Sequence, residues 1–147
     1  MNQLYDQVFP GIVADNREQE EHFRRKMIMY GWVEPEHLGG RHFSVDFEAT
    51  GRELALLSDT RTPRDKMVIL VNVCRVIAGS FFEANADNSE RQQMTADDLL
   101  PLLIVALIRG RPADLPSTIK YIQTYRDPHQ LAQSSSAYYF THIVFQS

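Results

Sequence analysis

Apolar residues recur along this chain at spacings of three and four, and sustained alternation is missing. That periodicity belongs to helices packed on one face, not to strands. Pro10-Gly11, Gly39-Gly40, Pro63, the polar run ANADNSERQQ at Ala84 to Gln93, Gly110 to Pro112 and Ser134 to Ser136 punctuate it. The first clear helix is predicted from about Asp15 to Tyr30, after the break at Pro10-Gly11. Asp15 or Asn16 can cap it, and Glu18, Glu20 and Glu21 sit near its positive end. Phe23, Met27 and Tyr30 make its apolar stripe, widened by Ile28, and Gly31 ends it. Pro35-Glu36 opens a short helical turn that closes at Gly39-Gly40. His42 to Phe47 alternates briefly and reads as a loop edge.

A second helix is predicted over Phe47 to Ser58, with Leu54, Leu56 and Leu57 on its apolar side. The third is capped by Thr62, takes Pro63 at its first position and runs to about Phe82. Met67, Val68, Leu70, Val71, Val73, Cys74, Ile77 and Phe81 leave it little polar face. The fourth starts at Thr95 or Ala96, carries Asp97 and Asp98 in its first turn and Pro101 soon after, and stops at Gly110. A fifth is predicted from Asp114 or Leu115 to Tyr125, and a sixth from near Ser135 to Ser147. Two helices that are apolar nearly all round need other helices around them. The expectation is an all-α, layered and irregular domain of about six helices with two central apolar ones. A regular four-helix bundle fits less well, because each of its helices keeps a polar face.

Composition narrows the chemistry. A chain of 147 residues, 44% hydrophobic and 23% charged, suits a single globular domain. A net charge of -4 argues against nucleic-acid binding through bulk phosphate attraction. The single cysteine, Cys74, excludes an internal disulfide and a cysteine zinc site, and its apolar helix marks it as an inert core residue. His22, His37, His42, His129 and His142 make no metal-ligand spacing, so no metal is expected. The serines lack nucleophile-elbow glycines, and the glycines form no phosphate cradle, so no cofactor or nucleotide is expected on the protein itself. The apolar run Leu99 to Ile108 is half of the roughly 20 residues a membrane span needs. The first residues have no basic flank before an apolar run, so the expectation is a soluble cytoplasmic protein. Read alone, Asp97 and Asp98 serve as first-turn charges. Tyr138, Tyr139 and Phe140 cannot all face one way on a helix, so at least one meets solvent or a partner.

The stretch TADDLLPLLIVALIRGRPADLPSTIKYIQTYRDPHQLAQSSSAYYFT resembles the catalytic half of the vacuolar-protein-sorting-9 (VPS9) domain family. TPRDKMVILVNVCRVI at Thr62 to Ile77, YGWVEPEHL at Tyr30 to Leu38 and LYDQVFP at Leu4 to Pro10 agree with it in the family's order. The family's members are guanine nucleotide exchange factors for early-endosomal Rab GTPases. The resemblance implies that Asp97 is the acidic finger that enters the nucleotide site and pairs with the phosphate-binding lysine. It implies that Pro101 positions the helix, that Tyr138 contacts the switch regions, and that Thr141 stands one turn later on the same face. His142 lies near that face, and Leu99 and Leu103 are expected to complete a shallow groove on the exposed part of the apolar helix. The implied partner is a Rab5-subfamily small GTPase, preferentially GDP-bound or nucleotide-free, met on early endosomes through a partner or flanking domains. The family usually carries Lys-Ala-Asn-Pro-Pro where this chain has Arg109, Gly110, Arg111, Pro112 and Ala113, and a glycine-acidic pair where it has Gln133 to Ala137. Residues 1–147 are thus expected to form one VPS9-type domain, truncated at its C-terminus. The alternative is a module that binds a Rab but exchanges nucleotide weakly or not at all.

Overall fold

The computed structural model describes residues 2–31, 45–84, 96–125, 140, 141 and 143, and among them every regular element is helical. The elements are α1 (Asn2–Asp15), α2 (Arg17–Met29), α3 (Phe47–Ala55) with a 3-10 turn at Leu56–Asp59, α4 (Pro63–Ala84), α5 (Ala96–Gly110) and α6 (Leu115–Tyr125). Phe140, Thr141 and Ile143 are helical as well. The all-α expectation holds, and the predicted bounds of α3, α4, α5 and α6 are met within a few residues. The predicted turn at Pro35 to Gly40 lies outside the described residues.

The first helix is a correction. Pro10 and Gly11 do not break the chain; both lie inside α1. An interior proline removes a ladder bond and costs about 3 kcal/mol, and tertiary packing overrides that cost. Phe9 is buried, Tyr5 stacks on it at 4.8 Å between centroids, and both rings meet Tyr121 of α6 edge-on at 5.9 and 5.6 Å. Asn16 does not cap α2 with its side chain. It bonds backward, its Nδ2 donating to the Ile12 carbonyl at 2.8 Å. Elsewhere the capping chemistry agrees with the sequence. Asp46 accepts from the Ala49 N–H at 3.0 Å, and Thr62 Oγ1 accepts from the Asp65 N–H at 3.0 Å.

Helices α3, α4 and α5 pack on one another, while α6 lies on α4 and is held by α1 and α2. From α5, Leu102, Leu103, Val105, Ala106, Leu107 and Ile108 are all buried, and α4 contributes Met67, Ile69, Leu70, Val73 and Ile77. Leu54 of α3 and Leu57 of the 3-10 turn point inward, while Leu56 is left exposed. The two apolar helices α4 and α5 are central, as expected, and a third helix is enclosed with them. Every residue from Leu115 to Ile119 is buried, as are Tyr121 and Ile122, so α6 is as enclosed as α5. Its sequence hides this because Ser117 and Thr118 interrupt the apolar pattern. Ser117 is satisfied across 97 residues of chain: Glu20 of α2 accepts from its N–H at 2.8 Å and from its hydroxyl at 2.6 Å. One carboxylate oxygen thereby caps the first turn of α6 from a neighbouring helix.

Gly110 also has a different role from the expected stop. It is the last helical residue, and the left-handed conformation that ends the helix falls on Arg111, at φ 45°. A Cβ on Gly110 would meet Leu54 Cδ1 at 2.7 Å. The glycine lets α5 and α3 approach closely, a packing requirement rather than a turn requirement.

Among the described residues, Lys66 is the one charged side chain that is buried, at 1% exposure. Its Nζ donates to the Leu57 carbonyl at 2.7 Å and lies 4.9 Å from the Tyr5 ring centre and 5.2 Å from that of Phe9. Burial, with Arg61 nearby, lowers its pKa from 10.5 to about 8, opposed by Asp114. Between those values the unfolded chain keeps a proton that the folded chain has released, so stability rises with pH across that window. The penalty is fully present below pH 8. Relative to a Lys66→Met variant, the natural chain should gain on the order of 3 kcal/mol as pH rises through this window, read from denaturant melts at several pH values. A stability difference that stays constant with pH would contradict this. The Leu57 carbonyl keeps its Thr60 hydroxyl donor at 2.9 Å in the variant, so no buried acceptor is orphaned.

The Glu20 cap gives a second expectation. Burial raises the Glu20 carboxyl above its ordinary range, against the two bonds from Ser117, which lower it. A raised acid pKa contributes stability below the ordinary carboxylate value, and this is lost as pH rises through the folded value. Both bonds from Ser117 need an oxygen acceptor at this position. Glu20→Ala should cost about 1–3 kcal/mol, while Glu20→Gln, which keeps an oxygen acceptor, should cost less than half of that. Equal losses in chemical denaturation would place the stabilisation in the charge instead.

Candidate functional site

Asp97 is the second residue of α5, and Asp98 the third. Both occupy the first turn, where the free N–H groups and the helix dipole favour a carboxylate by about 0.3–1 kcal/mol. The next turns of the helix are anchored in the core by Leu99 at 8% exposure, Leu102 at 4% and Leu103 at 0%. From Leu99 onward α5 is seated on the core, which sets the direction of the helix axis. Pro101, half-buried, is four residues after Asp97. A prolyl nitrogen has no hydrogen to give, so the Asp97 carbonyl receives no helical bond from that position, and the ring crowds it. The proline therefore acts on the peptide of the acidic residue itself.

Leu99 and Leu103 require a correction. The sequence reading puts them on the exposed part of α5, but both belong to the core. The difference is one of helical phase. Positions 97, 100, 101 and 104 share a face, at spacings of three, four and seven. Leu100, Pro101 and Ile104 are each half-buried, and Leu100 and Ile104 pack against the edge of the core. The apolar strip on the face of Asp97 is therefore Leu100, Pro101 and Ile104. An apolar helix offers no polar face in its sequence by which to set this phase.

At the other end of the chain, Phe140 and Ile143 are buried, at 0% and 3% exposure, in the same core cluster as Leu99 and Leu103. Of the three consecutive aromatics, Phe140 is thus a core residue. Thr141, between the two anchors, is half-buried, and its Oγ1 accepts from Gln123 Nε2 of α6 at 3.2 Å. Met67 and Leu70 of α4, Ile119 and Ile122 of α6, and Phe140 line a small hollow beside this pair. Tyr138 and His142 lie outside the described residues. Gln123 was not found from the sequence. It stands 18 residues before Thr141, in a separate helix, and no periodicity links the two.

The rest of the surface adds cations and a groove. The Arg109 guanidinium lies 4.6 Å from the centre of the Phe47 ring, so it ties the end of α5 to the start of α3. A groove of about 390 Å³ runs between α2 and the α5–α6 connection, with Phe23, Met27 and Ile28 on its apolar side and Arg24 and Arg111 among its polar lining. None of Leu99, Pro101, Leu103 and Thr141 lines it. Among the described residues, no three His, Cys, Asp or Glu side chains come together as a metal site. No described helix is long and apolar enough to cross a membrane.

The chain is similar over nearly its whole length to known proteins. It is 30% identical over 147 residues to vacuolar protein sorting-associated protein 9A of Oryza sativa subsp. japonica, which covers 98% of this chain and 30% of that protein. It is 30% identical over 145 residues to vacuolar protein sorting-associated protein vps901 of Schizosaccharomyces pombe, covering 89% of this chain and 24% of the relative. It is 26% identical over 149 residues to the Rab5 GDP/GTP exchange factor of Homo sapiens, covering 97% of this chain and 29% of that protein. The chain thus spans less than a third of the length of each of these relatives. The model of the vacuolar sorting protein 9 (VPS9) domain matches residues 47–145, from the start of α3 to beyond Ile143. With the family model matched over most of the chain and a relative 30% identical over 98% of it, this chain belongs to the VPS9 domain family.

Proposed function

We propose that this chain promotes GDP release from a Rab5-subfamily small GTPase, with Asp97 as its acidic finger. The observation that carries the reading is the start of α5: Asp97 and Asp98 in the first turn of a helix that is seated on the core by Leu99, Leu102, Leu103 and Val105 to Ile108, with Pro101 four residues after Asp97. Membership of the VPS9 domain family and the likeness to a protein named Rab5 GDP/GTP exchange factor support it. No covalent bond changes in this activity. An exchange factor must bind the nucleotide-free GTPase more tightly than the loaded one, because only differential affinity shifts an equilibrium. GDP is held through its phosphates, Mg²⁺ and a lysine. A carboxylate brought in on a rigid support offers that lysine another anion, repels the phosphate and disfavours retention of the metal.

Leu100, Pro101 and Ile104 extend the contact along the face of residue 97, in place of Leu99 and Leu103. Tyr138 and Thr141 meet the switch regions, with His142 beside them. Tyrosine suits such a contact because its ring is buried on binding while its hydroxyl still finds a partner. The preferred form of the GTPase is GDP-bound or nucleotide-free. The setting is the cytoplasmic side of early endosomes, consistent with a further relative named receptor-mediated endocytosis protein 6.

Fluorescent-GDP release from a panel of Rab GTPases tests the reading. The natural chain should accelerate release from at least one member. Asp97→Ala should lower that acceleration roughly 10- to 100-fold, the range for loss of one hydrogen bond to a charged group. The helical circular dichroism of the variant should match that of the natural chain. GTPase binding without accelerated release would favour a non-catalytic Rab-binding module, and acceleration untouched by Asp97→Ala would remove the acidic finger from the account.

A further inference from the structure

Two parts of the chain form the exchange surface: the start of α5 and the C-terminal residues around Thr141. A third element, α6, reaches the second of these. Gln123 is exposed near the end of α6, and its amide Nε2 donates to Thr141 Oγ1 at 3.2 Å. Beneath the pair, Phe140 is fully buried, and the Ile119 and Ile122 side chains of α6 line the same hollow. The backbone near Thr141 is therefore fixed by apolar anchors, and the amide acts on the orientation of its hydroxyl. A threonine hydroxyl rotates to suit its partners. When its oxygen accepts from Gln123, the hydroxyl hydrogen points away from that amide. Gln123 thus limits which way Thr141 can donate.

We propose that Gln123 is a positioning residue for the GTPase contact, acting through Thr141, and that α6 thereby takes part in partner recognition. The inference rests on the exchange reading. Gln123 does not touch the nucleotide site in this account. It narrows the orientations of a hydroxyl that must be ordered on binding, which is the usual gain from pre-organisation. Its contribution belongs to association with the GTPase rather than to expulsion of GDP, which is the work of Asp97.

The test measures GDP release from the most responsive GTPase over a range of concentrations, for the natural chain, Gln123→Met, Thr141→Ala and the double variant. Methionine keeps the length and helix preference of glutamine and removes the amide. Gln123→Met should raise the GTPase concentration giving half-maximal release by roughly three- to tenfold, the range for one neutral hydrogen bond. The maximal rate should stay within about twofold, and the melting temperature should not move, as expected of an exposed site away from the core. In the Thr141→Ala background the same change should have no further effect, since the contact it supports is gone. Unchanged half-saturation in Gln123→Met, or equal losses in both backgrounds, would overturn the positioning role while leaving the exchange reading intact. Absence of accelerated release by the natural chain from every member of the panel would overturn both.

Discussion

The fold depends first on burying α5. From Leu102 to Ile108 every residue of this helix is apolar, so no single neighbouring helix can cover it. Fully burying a leucine- or isoleucine-sized side chain stabilises by about 1.5–3 kcal/mol, and α5 supplies several. The solution is to surround it. Helices α3 and α4 pack along it, α2 touches it, and Gly110 lets α3 come within side-chain contact at its end. That enclosure also makes a functional site possible. The helix that carries the acidic first turn is thereby seated on the core from Leu99 onward.

The second layer is joined by polar contacts that would be costly to leave unmade. Ser117 lies within a fully buried stretch of α6, and Glu20 satisfies both its donors. Lys66 brings a cation into the seam between α1, the 3-10 turn and α4, where a carbonyl and two aromatic rings receive it. Tyr121 adds a bond from its hydroxyl to the Arg61 carbonyl at 3.0 Å. These contacts are directional, whereas apolar burial is not. They fix the register of α1 and α2 against a core that greasy contact alone would let slide.

Much of this was legible in the amino-acid order. Thr62-Pro63, the acidic turn before an apolar run, and Leu54 and Leu57 each announce their element through local chemistry. What escaped was decided by contacts distant in sequence. Pro10 and Gly11 read as a break, yet the helix runs through them, with Tyr5 and Phe9 before them packed on Tyr121. The burial of α6 is masked by Ser117 and explained only by Glu20, far earlier in the chain. On α5 the sequence located the acidic residue but not the phase of the helix, because a segment apolar on all sides has no pattern to set it. Leu99 and Leu103 went to the core, and Leu100 and Ile104 to its edge. Gln123 and Thr141 were brought together by two helices meeting, which no spacing rule could anticipate.

Activity in this account is a matter of differential affinity. On the proposed reading, the acidic start of α5 offers an anion where the GTPase would otherwise hold phosphate, and Leu100, Pro101, Ile104 and Thr141 contact the rest of the partner. The claim that the carboxylate and the nucleotide compete for one lysine is tested most directly by complex formation. The chain and a responsive Rab would be mixed after the metal and nucleotide are stripped with a chelator, and then passed over a sizing column with and without added GDP and Mg²⁺. The account predicts a stable one-to-one complex without nucleotide that dissociates when GDP and Mg²⁺ return. A complex equally stable with the nucleotide restored would mean that the two do not compete, and would contradict the account at its centre.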